Sequence, residues 1–314
     1  MFNTILVPLD GSVLAERALP HAQALARATG ARLALIRAAE EVAPLGVSAP
    51  RKRVAAMAEA EAYVTAVAAR LLADGFAVDT GVVHEGAADA IADEAERRGA
   101  GLIAMATHGR GGLGRLVFGS GAETVLRRAA TPLLLVRAWG DAPEIAPLGA
   151  RPRLLVPLDG SAFAEAALPV AAGLAGELGG DLVLLHAVSP FDQAFMPAVS
   201  LANFPADQAA RGEEARGYLR GIVARGGTGA CEALLDVRFD VPTLAIEEAV
   251  RDHRADLVVM ATHGRTAVGR LVLGGVADAV LRHSRVPLLL VRPRQLGAAE
   301  DEPVAAGDGV PVAD

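Results

Sequence analysis

Two aspartates, Asp10 and Asp159, sit in identical hexapeptides, VPLDGS, each closing a short apolar run. A carboxylate placed there can accept hydrogen bonds from a ribose or a base, or help to hold a metal such as Mg2+. It can equally close an Asx turn or cap a helix with no ligand involved. Occurrence in both hexapeptides shows descent and does not decide between those roles. The second constellation is ATHGRGGLGRLVFGS, in which Gly109 follows an apolar run and Gly119 and Ser120 precede a helical pattern. Glycines at such places let the backbone come close to a ligand and adopt positive φ, so that amides can face phosphate oxygens. The helix start adds a partial positive charge, and Ser120 a hydroxyl. Ser120 with Glu123 is also a capping box, which satisfies helix-terminal amides by itself. A cap and an anion site can coexist, and a cap leaves the glycine-rich loop upstream unexplained.

Neighbouring motifs narrow the chemistry. The GxGxxG at Gly109, Gly111 and Gly114 lacks what a dinucleotide fingerprint requires, a tight turn directly into a helix and an acidic residue ~20 positions later. Gly119 interrupts that segment, and the residues near 130 read AATPLLL. The Gly-Lys pair of the phosphate-loop NTPases is absent from the chain. His108 and His263 lie in the two glycine-rich loops, where they could donate to a phosphate or satisfy a turn. Neither has a second His, Cys or carboxylate at ligand spacing, so zinc is not expected. Gly86, in VVHEGAADAI, is a further close-approach glycine, and Val241 takes its place in the second copy. The single cysteine, Cys231, excludes an intramolecular disulfide. It is expected to be a small buried or half-buried side chain.

The motifs recur because the chain is a duplication. Val7–Ser12 returns as Val156–Ser161, and Ala15, Glu16, Ala18, Leu19 and Pro20 return as Ala164, Glu165, Ala167, Leu168 and Pro169. MATHGR at Met105–Arg110, GRLV at Gly114–Val117 and PLLLVR at Pro132–Arg137 return at a slightly larger offset, so the second copy carries a short insertion. The expected division is a first domain over 1–140, a linker over 141–151 broken by Pro143, Pro147 and Gly149, a second domain over 152–294, and a disordered acidic tail over 295–314.

Within each copy, short apolar runs alternate with amphipathic stretches, the pattern of βαβ units and a parallel sheet. In the first copy the strands are expected near Thr4–Pro8, Arg32–Ala38, Ala77–Val83, Leu102–Ala106 and Pro132–Arg137. The helices are expected over Ser12–Thr29, Arg51–Asp74, Ala87–Arg98 and Ser120–Arg128. The runs ILV, LIAMA and LLLV are apolar throughout, as strands are when helices cover both faces. The fold class is therefore α/β, two tandem doubly wound five-stranded parallel-sheet domains. Ligands bind such sheets at the carboxyl ends of the strands, where strand order reverses, and both polar motifs lie at strand ends.

Composition bounds the partners. With 52% hydrophobic and 21% charged residues, each half has enough apolar material for its own core. A net charge of -7 argues against nucleic acid, which needs a basic face. No apolar run reaches the ~18 residues of a membrane span, and the start MFNTILVPLD lacks the basic region of a signal peptide. The expectation is a cytoplasmic protein with no membrane partner.

With PLDGS after the first strand, then A-x-x-G, nine residues and G-S, then a PLLLVR strand, the chain resembles the universal stress protein family over about residues 1–138 and 152–293. ATP-binding members of that family carry G-x-x-G-nine-residues-G-(S/T) on a five-stranded parallel sheet of the adenine nucleotide α-hydrolase-like fold. The resemblance implies that Pro8, Leu9 and Asp10 border adenine and ribose, that Ala38 contacts the base, and that Gly109, Gly119 and Ser120 cradle phosphates. Gly86, Met105, Ala106, His108, Gly121 and Ala122 complete the implied first site, and Asp159, Gly264 and Gly274 a second. ATP, with ADP or AMP as alternatives, is the implied cofactor, together with Mg2+ at Asp10. Departures from the pattern are Ala106 and Ala261 in place of its first glycine, and Gly275 in place of the hydroxyl residue after Gly274. Nucleotide is therefore expected mainly in the first half.

The family also implies an internal pseudo-dimer, with Pro132–Arg137 paired against Pro287–Arg292. A homodimer of two chains stays open. Three functions remain in competition: an ATP-responsive stress-response regulator that contacts an unknown protein partner, a slow Mg-dependent ATPase, and a nucleotide-independent interaction scaffold. No residue stands out as catalytic, because Arg110 and Arg115 can stabilise charge or merely coat a helix.

Overall fold

The structure, a computed structural model, describes residues 2–39, 49–83, 87–107, 120–138, 145–189, 204–262 and 275–293. The first half runs β1 (Thr4–Leu9), α1 (Val13–Glu16), α2 (Leu19–Thr29), β2 (Arg32–Ala38), α3 (Ala49–Ala73), β3 (Val78–Val83), α4 (Ala87–Arg97), β4 (Leu102–Ala106), α5 (Ser120–Arg128) and β5 (Leu133–Val136). The second repeats it as β6 (Arg153–Leu158), α6 (Ala162–Glu165), α7 (Leu168–Leu178), β7 (Asp181–Ala187), α8 (Phe204–Ala224), β8 (Ala233–Arg238), α9 (Pro242–Asp252), β9 (Leu257–Ala261), α10 (Gly275–His283) and β10 (Leu288–Val291).

One expected element is corrected. The helix anticipated over Ser12–Thr29 is two helices, α1 and α2, with a break at Arg17 and Ala18. Pro20 is the cause: it has no N–H to give the Glu16 carbonyl, and its ring clashes with that carbonyl in a continuous helix. Pro20 instead sits in the first turn of α2, where a missing N–H costs nothing. Pro169 splits α6 from α7 in the same way.

All ten strands form one sheet, in the order β3-β2-β1-β4-β5-β10-β9-β6-β7-β8. Each half is parallel, and the halves meet where β5 runs antiparallel to β10, with Leu288 opposite Leu135, Leu289 opposite Leu134 and Leu290 opposite Leu133. Alternation along the strands divides the core between two faces. Leu33, Leu35, Leu134 and Leu289 pack on one side with α2, α3, α7 and α8. Ala34, Ile36, Leu133, Leu135, Leu288 and Leu290 pack on the other with α4, α5, α9 and α10. Both cores run unbroken through the β5–β10 seam.

Polar groups tie the seam at its rim. Arg137 Nη1 donates to the Arg282 carbonyl near the end of α10 at 2.9 Å, while Arg292 Nη1 donates to the Arg127 and Ala129 carbonyls at the end of α5 at 3.1 and 3.2 Å. The final Arg of each PLLLVR run thus caps the negative end of a helix in the opposite half. A third tie is asymmetric. His21 on α2, 1% exposed, donates Nε2–H to the Ile145 carbonyl at 3.2 Å and so pins the segment leading into the second half.

Candidate functional site

Strand order reverses between β1 and β4. From β1 the chain steps outward to β2 and β3, then returns to the other side of β1 as β4 and β5. β1 and β4 are directly paired, with Ile5 opposite Leu102 and Leu6 opposite Ile103. Their carboxyl ends, Leu9–Asp10 and Ala106–Thr107, therefore border one crevice, the place where doubly wound sheets bind ligands. β6 and β9 make the equivalent crevice in the second half, with Leu154 opposite Leu257.

Local chemistry at Asp10 follows from its sequence. Gly11 has φ +83°, a conformation that a β-carbon would strain, so the chain turns sharply as it leaves β1. The turn is closed by Asp10 Oδ1, which accepts from Ser12 N at 2.8 Å, and Ser12 Oγ then accepts from Ala15 N at 3.1 Å to cap α1. Asp159 repeats the turn on Ser161 N at 2.9 Å and also accepts from Ser161 Oγ at 2.6 Å. The Asx-turn role is thus present in both copies. Each carboxylate uses Oδ1 for the turn.

The remaining expected residues divide by burial. Pro8, Leu9, Met105 and Ala106 are buried, so only their backbone can border a ligand, while Ala38 at the end of β2 is half-buried. Ser120 opens α5; its side chain, and with it the capping box, lies outside the described residues. Gly121, in the first turn of α5, is exposed, and a β-carbon added there meets no described atom within 4 Å. Ala122 is buried beneath that turn. Gly86, His108, Gly109, Gly119, Gly264 and Gly274 all lie outside the described residues. Thr107 is buried, and its Oγ1 accepts from Ala138 N at 3.2 Å, which fixes the end of β4 against the end of β5. Among the described residues no group of three His, Cys, Asp or Glu side chains could hold a metal ion.

A half-buried polar relay behind the Asp10 turn was not anticipated. Glu16, at the end of α1, accepts from Tyr63 Oη at 2.8 Å and from Arg70 Nη2 at 2.8 Å, both on α3. The Arg37 guanidinium, near the end of β2, lies 4.9 Å from the Tyr63 ring centre and donates to Glu59 Oε1 at 3.0 Å. Burial first, and then the bond to Glu16, push the Tyr63 hydroxyl well above the usual phenol range, so it stays protonated as a donor. The relay clamps α1, and therefore the Asp10 turn, onto α3.

The second copy keeps half of this arrangement. Arg225 Nη2 donates to Glu165 Oε2 at 2.6 Å. Tyr218 Oη is buried near Glu165 without the geometry of a hydrogen bond to it. His186 stands where the first copy has Arg37, its ring edge-on to Tyr218 at 5.6 Å. Burial holds the His186 imidazole below the ordinary histidine range, partly opposed by Asp159 and Glu214. A permanent cation near the end of β2 has become a titratable ring. One sequence signal could have exposed the relay: the chain has only two tyrosines, and they occupy equivalent positions of the repeat.

Comparison with known proteins agrees with this fold. The model of the universal stress protein family matches residues 1–137 and again 151–292. A universal stress protein of Mycobacterium tuberculosis is 31% identical over 212 residues, covering 64% of this chain and 63% of that relative, so the match spans less than two thirds of its length. One from Thermus aquaticus is 39% identical over 149 residues, 44% of this chain and 100% of that protein. Among solved structures, a universal stress protein from Archaeoglobus fulgidus superposes with a TM-score of 0.70 at 20% identity, covering 92% of this chain and 98% of that one. Among the described residues no helix is long and apolar enough to cross a membrane. With its family pattern matched twice along the chain and the fold shared over nearly the full length, this protein belongs to the universal stress protein family.

Proposed function

We propose that this protein is an adenine-nucleotide-binding regulatory protein of the stress response, with ATP seated mainly in the first half. The observation that carries the reading is the direct pairing of β1 with β4 at the reversal of strand order, which brings the Asp10 turn to the same crevice as the chain leaving Thr107. Asp10 closes its turn through Oδ1, and its carboxylate is the group assigned to a ribose hydroxyl or to a Mg2+ ion. The backbone of Pro8 and Leu9 borders the base, and Ala38 its far edge. The phosphates lie over the start of α5, at Ser120, Gly121 and Ala122, with Gly109 and Gly119 in the approach. In the second half the start of α10 is Gly275, with no hydroxyl to offer, so nucleotide there is weaker or absent.

The division of the chain into a first domain over 1–140 and a second over 152–294 belongs to the same reading, as does a cytoplasmic location. Bound nucleotide changes the glycine-rich loop and hence contacts with a protein partner. The test is nucleotide affinity in Asp10→Asn. Asparagine can still close the turn on Ser12 N, but it removes the charge. Affinity for Mg-ATP should fall at least about tenfold, a loss of ~1.4 kcal/mol, while the same change at Asp159 leaves it unaltered. Unchanged binding together with unchanged turnover in Asp10→Asn would remove Asp10 from the site. ATP turnover abolished in that variant with binding retained would favour the slow ATPase instead.

A further inference from the structure

Between the Asp10 turn and the body of the first half stands a helix with little hold of its own. α1 is a single turn, too short to persist by its backbone bonds alone. Ala15 is the one buried residue on it, and Val13 is 78% exposed, so apolar packing fixes it weakly. Its upstream end is joined to Asp10 through Ser12, whose N–H donates to Asp10 Oδ1 at 2.8 Å and whose Oγ accepts from Ala15 N at 3.1 Å. A tilt of α1 is therefore passed on to the Asp10 carboxylate.

The hold comes from α3. Val67, Ala68 and Leu71 seat this helix in the core of the sheet. Tyr63 and Arg70, two turns apart and so on one side of it, both reach Glu16, at 2.8 Å each. The two bonds differ in strength. Arg70 is 62% exposed, and water competes for its guanidinium. Tyr63 is half-buried, with the Arg37 guanidinium 4.9 Å from its ring centre. Arg37, 8% exposed, is itself fixed to α3 by Glu59, donating to its Oε1 at 3.0 Å and to its carbonyl at 3.4 Å. Burial first, then the bond to Glu16, then the charges of Glu16 and Asp10 hold the Tyr63 hydroxyl above the phenol range, against the opposing charge of Arg37. The donor is thus present at any working pH, and Asp10 is near enough for its charge to reach the hydroxyl. The second copy has the same parts without that bond. Glu165 keeps Arg225 at 2.6 Å, but Tyr218 Oη has no partner among the described residues, and His186 replaces the guanidinium.

We infer that Tyr63 is a positioning residue for the nucleotide crevice of the first half: by donating to Glu16 it holds α1, and with it the Asp10 carboxylate, in the orientation that a ribose hydroxyl or Mg2+ requires. The inference rests on the reading of that crevice as a nucleotide site. It makes one hydroxyl on α3, remote from the glycine-rich loop in sequence, a reason for nucleotide to favour the first half over the second.

The experiment is calorimetric titration of Mg-ATP into the full chain and into Tyr63→Phe, which keeps the ring against Arg37 and removes only the hydroxyl. Affinity should fall at least about fivefold, while Tyr218→Phe, the same change in the second half, should leave it within about twofold. Glu16→Ala removes the acceptor and should weaken binding by a similar factor, after which Tyr63→Phe should cost less than about twofold more. Glu16→Gln keeps an oxygen for the Tyr63 hydroxyl and should bind within about twofold of wild type. All are compared at a temperature where urea unfolding shows each chain folded, so a loss of stability alone moves none of these ratios. Three results would overturn the inference while leaving nucleotide binding itself in place: Tyr63→Phe binding as tightly as wild type, Tyr218→Phe losing as much as Tyr63→Phe, or Tyr63→Phe costing as much without the Glu16 carboxylate as with it. A folded wild type that takes up no nucleotide would instead overturn the nucleotide reading, and this inference with it.

Discussion

His21 offers a perturbation whose size and sign both follow from its surroundings. The ring is 1% exposed, Nε2 faces the Ile145 carbonyl, and Nδ1 is buried with no partner among the described residues. A carbonyl only accepts, so the neutral ring must carry its proton on Nε2. Burial lowers the pKa from 6.5 to about 4, with the Ile145 carbonyl opposing part of that shift. In the unfolded chain the imidazole takes up a proton near pH 6.5, while in the folded chain it resists until near pH 4. Acid therefore favours unfolding, and the stability His21 contributes is complete above pH 6.5 and lost as pH falls toward 4. From pH 7.5 to pH 5 the loss is roughly 2 kcal/mol. The second copy supplies the natural substitution, since Val170 occupies the equivalent position. At pH 7.5 His21→Val should be less stable by ~1 kcal/mol, because the Ile145 carbonyl loses its donor. At pH 5 the order should reverse, with the variant ahead by ~1 kcal/mol. Urea unfolding of both chains at a series of pH values reads this directly. Parallel pH profiles that never cross would refute the reasoning.

Three further predictions test the seam and the acid response. Leu289, fully buried opposite Leu134, should cost 2–5 kcal/mol, an order-of-magnitude range, when replaced by alanine, and pairing that change with Leu134→Ala should depart from additivity by at least ~0.5 kcal/mol in urea unfolding. Arg292→Ala frees the Arg127 and Ala129 carbonyls at the end of α5, and thermal unfolding should register a loss of about 1–2 kcal/mol. Glu94 is held by Arg97 and Arg98, and the hydrogen bond from Arg97 leads in lowering its carboxyl from the ordinary 4.5 to about 2. Its contribution, at most ~3 kcal/mol, is complete above pH 4.5 and lost as pH falls toward 2, so Glu94→Gln should weaken the fold at neutral pH and flatten its acid unfolding profile.

Much of this architecture was legible in the residues. Apolar runs such as LIAMA and LLLV announced buried parallel strands, and the repeated VPLDGS placed Asp10 and Asp159 at strand ends, where both stand. What escaped has physical causes. A helix pattern over Ser12–Thr29 shows its apolar period but hides the clash between Pro20 and the Glu16 carbonyl. The Glu16–Tyr63–Arg70 relay joins side chains far apart in the chain, and no local period reports such a contact. Arg137 and Arg292 looked like strand ends, yet each caps a helix of the other half, which becomes visible only once β5 meets β10. His21 was absorbed into an amphipathic face because its carbonyl partner, Ile145, sits in a segment with no pattern of its own.

The nucleotide itself remains the central claim, and the most direct measurement is a calorimetric titration of Mg-ATP into the purified, nucleotide-free chain and into Gly119→Val, a change intended to fill the phosphate cradle. Saturable binding near one site per chain, lost in the folded variant, is the predicted result. A folded wild type that takes up no nucleotide, or one whose binding survives Gly119→Val unchanged, would contradict the account.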